Sequence, residues 1–138
     1  ISAGIGRGQM TILEDHIAHH RRLAALYREL FASVSGITYH TDPTPESNSN
    51  YWLSTIEIDS ATGKTPEDLR LHLAALNVET RPLWKPMHLQ PVFADAPAYV
   101  NGVSEHLFGR GLCLPSGPCV SEDDVRMIVS EIKRCINS

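Results

Sequence analysis

Arg81–Phe93 reads RPLWKPMHLQPVF. Pro82, Pro86 and Pro91 leave no room for a helix interior, because each removes a backbone donor and crowds the preceding turn. Trp84, Met87, Leu89, Val92 and Phe93 make the segment too apolar for a solvated linker. It is therefore read as a stiff loop that divides the chain. Regular elements should end before it and begin again after it.

Upstream, Ile5 to Phe31 reads as one long helix. Met10, Leu13, Ile17, Ala24, Tyr27 and Phe31 recur at spacings that keep them near one face, and Leu23, Leu26 and Leu30 widen the stripe. Gly4, Gly6 and Gly8 weaken its first turns. Gly36 lies past its end, and YHTDPTPESNSN (39–50) is a polar connection. YWLSTIEI (51–58) alternates as a strand, with Trp52, Ser54, Ile56 and Ile58 on one face, and is expected to be central. Thr65-Pro66-Glu67-Asp68 starts a helix running to about Ala75, with Thr65 as cap, Pro66 in the first turn and Asn77 as stop. Val78 to Arg81 is a short second strand.

Downstream, Val103 to Phe108 is a short helix ended by Gly109 and Gly111. Leu112-Cys113-Leu114 is a third strand. Ser121 caps a last helix whose stripe is Val125, Ile128, Val129, Ile132 and Ile136. The order is α, β, α, β, loop, α, β, α. This predicts an α+β fold, a small three-stranded sheet covered by helices on one face.

The 138 residues fit one domain, with enough length for a real core. A hydrophobic share of 42% and a charged share of 20% exclude disorder and fibrous repeats. A net charge of −4 with scattered cations excludes a nucleic-acid footprint. No apolar run is long enough to span a membrane. Cys113, Cys119 and Cys135, odd in number and without CxxC spacing, suit a reducing compartment, and a cytoplasmic location is expected. The opening ISAGIGRGQM lacks the pattern of a signal peptide and starts already helical, as if cut from something longer.

Three groups of residues carry possible chemistry. His16, His19 and His20 share a helical surface, but without an acidic or thiolate cluster they are read as solvated histidines, with no metal expected. Lys64 and Lys133 are read as solvated, whereas Trp84 and Pro86 flank Lys85 and suit it to binding. Pro82 and Pro86 bias Arg81 and Lys85 toward extended backbone. Arg81 can grip a carboxylate or phosphate through its fork. Arg81, Lys85 and His88 together read as a binding set. Trp84 can stack on a ring or plug the core, and by itself the core is favoured. The spacing does not name the ligand.

ETRPLWKPMHLQPVF, then SEHLFGRGLCLPSG, then SEDDVRMIVSEIK, together with the early GIGRGQM, resemble the C-terminal part of the DegT/DnrJ/StrS aminotransferases, and RPLWKPMHLQPVF is most similar to the EpsN/PglE-like branch. The resemblance spans nearly the whole chain, apart from residues 40–50. It implies the small C-terminal domain of a fold-type I pyridoxal-phosphate enzyme, occupying 1–138, with the large cofactor-binding domain absent.

Such enzymes move an amino group, usually from glutamate, to a nucleotide-linked keto-sugar. In this branch the acceptor is a 4-keto-6-deoxy sugar used in polysaccharide or glycan synthesis. The resemblance places Arg81, Trp84, Lys85, His88, Gln90 and, with less support from the pattern, Arg7 on the substrate side of a cleft in a homodimer. The catalytic lysine has no matching position here, so the chain alone is expected to be inactive and to hold no pyridoxal phosphate. A non-catalytic module that binds a sugar nucleotide or a partner chain is the alternative.

Overall fold

The computed structural model describes all residues, 1–138. Helix α1 (Ser2–Met10) is followed by α2 (Leu13–Phe31). The single long helix expected from the sequence is thus broken at Thr11 and Ile12. The Thr11 hydroxyl donates to the Gly8 carbonyl at 2.7 Å, and α1, with its three glycines, buries no residue. With nothing to pack against, the first turns gain no support for a continuous rod. The buried stripe begins only at Leu23 and runs through Ala24, Leu26, Tyr27 and Phe31. Met10 and Leu13, expected on that stripe, are exposed.

Strands β1 (Ile37–Tyr39), β2 (Ser54–Ile58), β3 (Arg81–Pro82) and β4 (Gly111–Leu114) form one antiparallel sheet in the order β1-β2-β4-β3. The α+β class stands, with four strands where three were expected. The added strand is β1, which lies at the start of the polar connection and pairs Ile37 with Ile58 and Tyr39 with Ile56. Central placement of β2 holds, since β1 and β4 flank it. The second expected strand shifts forward to Arg81–Pro82, where Arg81 pairs with Cys113.

Between these strands lie α3 (Pro66–Ala74) and α4 (Val103–Arg110), and α5 (Glu122–Ile136) follows the last of them. Both α3 and α5 open on capping boxes, Thr65 with Asp68 and Ser121 with Asp124, each satisfying two otherwise unpaired backbone donors. Asn77, with φ of 59°, ends the α3 region, and the Val78 amide returns to the Leu73 carbonyl at 3.0 Å.

One core unites the fold. Ile37, Ile56, Ile58, Leu112 and Leu114 from the sheet meet Leu23, Tyr27 and Phe31 of α2, Leu69 and Leu73 of α3, and Val125, Ile128, Val129 and Ile132 of α5. Tyr27, Phe31 and Tyr39 stack with centroids 6.1–6.5 Å apart. Residues alternating with the core set point to the other face. There Glu57 accepts from His106 Nε2 of α4 at 2.6 Å, and His40 Nε2 lies 3.7 Å from the same carboxylate. Helices therefore stand on both faces, a departure from the one-sided layer expected. The stretch from Leu83 to Gly102 crosses the surface with two single 3₁₀ turns, Met87–Leu89 and Pro91–Phe93.

Candidate functional site

The edge strand β3 and its neighbour β4 form one wall of a groove of about 980 Å³. The first turns of α5 and the segment after β4 form the other. Trp52, Thr80, Arg81, Trp84, Cys113 and Met127 are among its lining residues. The volume falls at the upper end of ordinary small-molecule sites.

Two of the six expected site residues reach this groove. Arg81 lies on β3, and its Nε donates to Glu79 Oε1 at 2.9 Å. Both side chains are largely exposed. Trp84 is 67% exposed, which overturns the core assignment favoured for it alone. Its ring faces Trp52, with centroids 6.2 Å apart and planes inclined by 36°. The core is already filled from α2, α3 and α5, so the loop has no interior position to offer an indole.

Three more candidates lie in the adjoining loop. Lys85 is exposed and takes part in none of the ion pairs. Gln90 Nε2 donates to the Lys85 carbonyl at 3.1 Å and closes the loop on itself. His88 Nε2 donates to Glu105 Oε1 of α4 at 2.8 Å, which anchors the first 3₁₀ turn to that helix. Arg7 is exposed on α1 and does not line the groove. The loop thus presents a free ammonium and a held imidazole beside an aromatic groove.

Trp52, Thr80 and Glu105 were not singled out by the sequence. The alternation groups Trp52 on one strand face with Ser54, Ile56 and Ile58, yet those three are buried and Trp52 is 61% exposed. Strand β2 starts only at Ser54, and Tyr51 adopts φ of 48°, so the alternation does not extend back to Trp52. The signal was present in Asn50, whose side chain accepts from the Trp52 amide in a local turn. Thr80 is buried with no hydrogen-bond partner for its hydroxyl.

His19 and His20 were expected to be solvated, but they are half-buried and their Nε2 atoms are enclosed without partners. Burial and the neighbouring His19 and His16 lower the His20 pKa. No group of three or more His, Cys, Asp or Glu stands together in metal-holding geometry. All three cysteines are free. Burial pushes the Cys113 and Cys135 thiols up and makes them poor nucleophiles, whereas Cys119 is exposed. No helix is long and apolar enough to cross a membrane.

The residues of this chain do not by themselves fit pyridoxal phosphate, which needs a lysine for attachment beside an anion cradle and a carboxylate for the ring nitrogen. Lys64 Nζ donates to Ser138, and Lys133 belongs to α5, which packs against α2 and α3. Lys85 stands on an exposed loop with no paired carboxylate.

Sequence and structure comparisons identify similar proteins. The model of the DegT/DnrJ/EryC1/StrS aminotransferase family matches residues 1–133. EpsN of Bacillus subtilis, assigned by its name to the pyridoxal phosphate-dependent aminotransferases, is 35% identical over 94% of this chain and 34% of its own length. GDP-perosamine synthase of Escherichia coli O157:H7 is 31% identical over 96% of this chain and 35% of its own length. The crystal structure of DesI, solved in the presence of its TDP-sugar product, superposes with a TM-score of 0.81 at 28% identity, covering 92% of this chain and 33% of DesI. The chain therefore spans about a third of the length of the curated relatives it matches. With the match running through every helix and strand of the fold, the chain belongs to the DegT/DnrJ/EryC1/StrS aminotransferase family.

Proposed function

We propose that residues 1–138 are the small C-terminal domain of a pyridoxal-phosphate-dependent sugar aminotransferase. In this reading the large cofactor-binding domain belongs to a longer parent protein, a cytoplasmic homodimer. The parent transfers an amino group from glutamate to a nucleotide-linked 4-keto-6-deoxy sugar for polysaccharide or glycan synthesis. Pyridoxal phosphate, held by the large domain, supplies the electron sink for amino transfer. The present chain contributes binding and orientation, with Lys85, His88 and Gln90 on the loop and Arg81 and Trp84 at the groove facing the substrate.

The observation that carries this reading is the Lys85–Gln90 loop. It offers an unpaired ammonium and an anchored imidazole beside an open aromatic groove, in a chain whose relatives bear the names of sugar-nucleotide enzymes. An unpaired cation and hydrogen-bond donors on a closed loop suit a phosphorylated, hydroxyl-rich substrate.

Two measurements test it. The isolated chain mixed with pyridoxal phosphate should show only the absorbance of free cofactor and no transamination. A stoichiometric, borohydride-reducible adduct at one lysine would overturn the division of labour. In the full-length parent, Lys85→Ala should raise KM for the nucleotide sugar about tenfold with a smaller change in kcat. An unchanged KM removes Lys85 from the substrate side.

A non-catalytic module is the second reading. The exposed apolar residues near the N-terminus, including Ile5, Met10, Ile12 and Leu13, would be covered by the large domain in the first reading and by a partner chain in this one. Tight self-association in sedimentation, together with no binding of UDP-sugars, would select it.

A further inference from the structure

We infer that the cleft between α2 and the polar connection is a binding site for a small oxyanion, a phosphoryl or carboxylate group gripped by Arg21 and Arg28. The inference does not depend on the nucleotide-sugar reading. The cleft shares no lining residue with the groove at β3. One of its walls comes from residues 40–50, which carry none of the sequence blocks that resemble the family.

Charge is the first observation. The chain as a whole has a net charge of −4. Arg21 and Arg28 line this cleft with one carboxylate, Asp42, and two cations against one anion leave it at +1. Neither arginine takes part in any of the ion pairs, whereas all five arginines from Arg70 onward do. Seven residues apart, the two stand on one face of α2, about two turns from each other. Ala24 and Ala25 lie between them and line the cleft, so no long side chain fills the space.

Unused donors are the second observation. Arg21 is set in place by the connection: its Nε donates to the Ser49 carbonyl at 3.0 Å and its Nη2 to Asn48 Oδ1 at 2.7 Å. These bonds orient the fork and leave Nη1 to a ligand. The Tyr51 hydroxyl oxygen accepts from the Asp42 amide at 3.2 Å, so its own proton remains to be donated. Tyr51 has φ of 48°, a conformation that a bulky residue keeps only where its surroundings hold it. Burial raises the Tyr39 pKa and the Arg28 charge pulls it back, which sets Arg28 close to a second tyrosine of the same cleft. A wall rich in donors suits an oxyanion, and a guanidinium fork matches carboxylate and phosphoryl oxygens alike.

Size is the third. The cleft holds about 250 Å³. That is below the roughly 300 Å³ at which pockets for drug-sized ligands begin. It has room for a phosphate or a short organic acid and none for a nucleotide.

Inorganic phosphate and glutarate, a short dicarboxylate, are titrated into the isotope-labelled 138-residue chain at constant ionic strength and followed by amide NMR. At least one should bind saturably and move the amides of Asp42, Ser49 and Tyr51 while those of Thr80 and Cys113 stay in place. Tighter binding of phosphate assigns a phosphoryl group, and tighter binding of glutarate a carboxylate. Arg28→Gln, which breaks no ion pair, should weaken binding about tenfold or more. Ala25→Glu sets a carboxylate four residues after Arg21 and three before Arg28, and should abolish binding. Asp42→Asn removes the opposing charge and should tighten it several-fold. Both Arg28 and Ala25 are exposed, and variant spectra unchanged away from α2 and the connection show that the fold is kept.

The site is overturned if neither anion binds, or if shifts track exposed cations along the whole chain without saturating. Unchanged affinity in Arg28→Gln overturns it as well. Each of these results leaves the nucleotide-sugar reading standing.

Discussion

The Tyr27 hydroxyl donates to the Pro115 carbonyl at 2.9 Å, across 88 residues of sequence. Tyr27 is fully buried in α2, and Pro115 follows β4 on the rim of the groove. One hydrogen bond thus ties the core helix to the groove wall. Removing it should cost about 1–2 kcal/mol, because the carbonyl loses its partner in a part-buried setting. Urea denaturation of Tyr27→Phe checks this, and no change in midpoint would show that water replaces the phenol.

The same residue sets an alkaline limit. Burial is the main cause that raises the Tyr27 pKa far above its usual 10.0, and burial likewise raises Tyr39. A group whose folded pKa is raised stabilises fully below the unfolded value, and that stability is lost as pH rises. Wild-type stability should therefore fall above about pH 10, more steeply than that of Tyr27→Phe. Denaturation midpoints measured across that range decide it.

Gly111 has no room for a side chain. A Cβ there would run into Leu83 and stand 2.6 Å from the Leu107 carbonyl oxygen. Gly111→Ala should destabilise by about 1–3 kcal/mol. Adding Leu83→Ala should recover only part of the loss, since the backbone oxygen stays in place. Full recovery in a double-mutant cycle would show that the end of α4 shifts freely.

Glu131, 9% exposed, accepts from His72 Nε2 at 3.1 Å and from Arg134 Nη1 at 2.9 Å. His72 bridges α3 to α5, whereas the Arg134 side chain is 69% exposed. His72→Leu should cost about 1–3 kcal/mol by leaving a largely buried carboxylate short of a donor. Arg134→Ala should cost less than about 1 kcal/mol, as a solvent-screened pair does. Equal losses in thermal or urea unfolding would reverse this ranking.

The two capping boxes should show at low pH. The Ser121 hydroxyl, then its amide, hold Asp124 below its usual value, and Thr65 does the same for Asp68. With a lowered folded pKa, the stabilisation is present above the unfolded pKa and is lost as pH falls through the folded one. The loss should set in as pH falls below the ordinary aspartate value of about 4. Asp124→Asn and Ser121→Ala should both flatten the acid limb of stability against pH. A limb of unchanged slope in both would mean that other carboxylates carry it.

The elements legible in the sequence are those built from local contacts. Thr65-Pro66-Glu67-Asp68 and Ser121-Glu122-Asp123-Asp124 state their helix starts within four residues, because the capping bonds close over that span. The Val125–Ile132 stripe and the Ser54–Ile58 alternation state their buried faces by period alone. The family was legible for a related reason: its distinguishing blocks are contiguous stretches of sequence, such as α5 with its cap and the loop after β3.

Tertiary structure decided what depends on distant partners. Ile37–Tyr39 becomes a strand only because β2, beyond a long polar connection, supplies its hydrogen bonds. His88 is anchored by Glu105, 17 residues away, and the orphan hydroxyl of Thr80 appears only when the chain closes around it. Trp84 illustrates the division best. Its sequence identity determined a large apolar surface that water disfavours, yet not whether that surface would be buried. Only the filled core, with every interior position taken by α2, α3, α5 and the sheet, left it standing beside Trp52 at the groove.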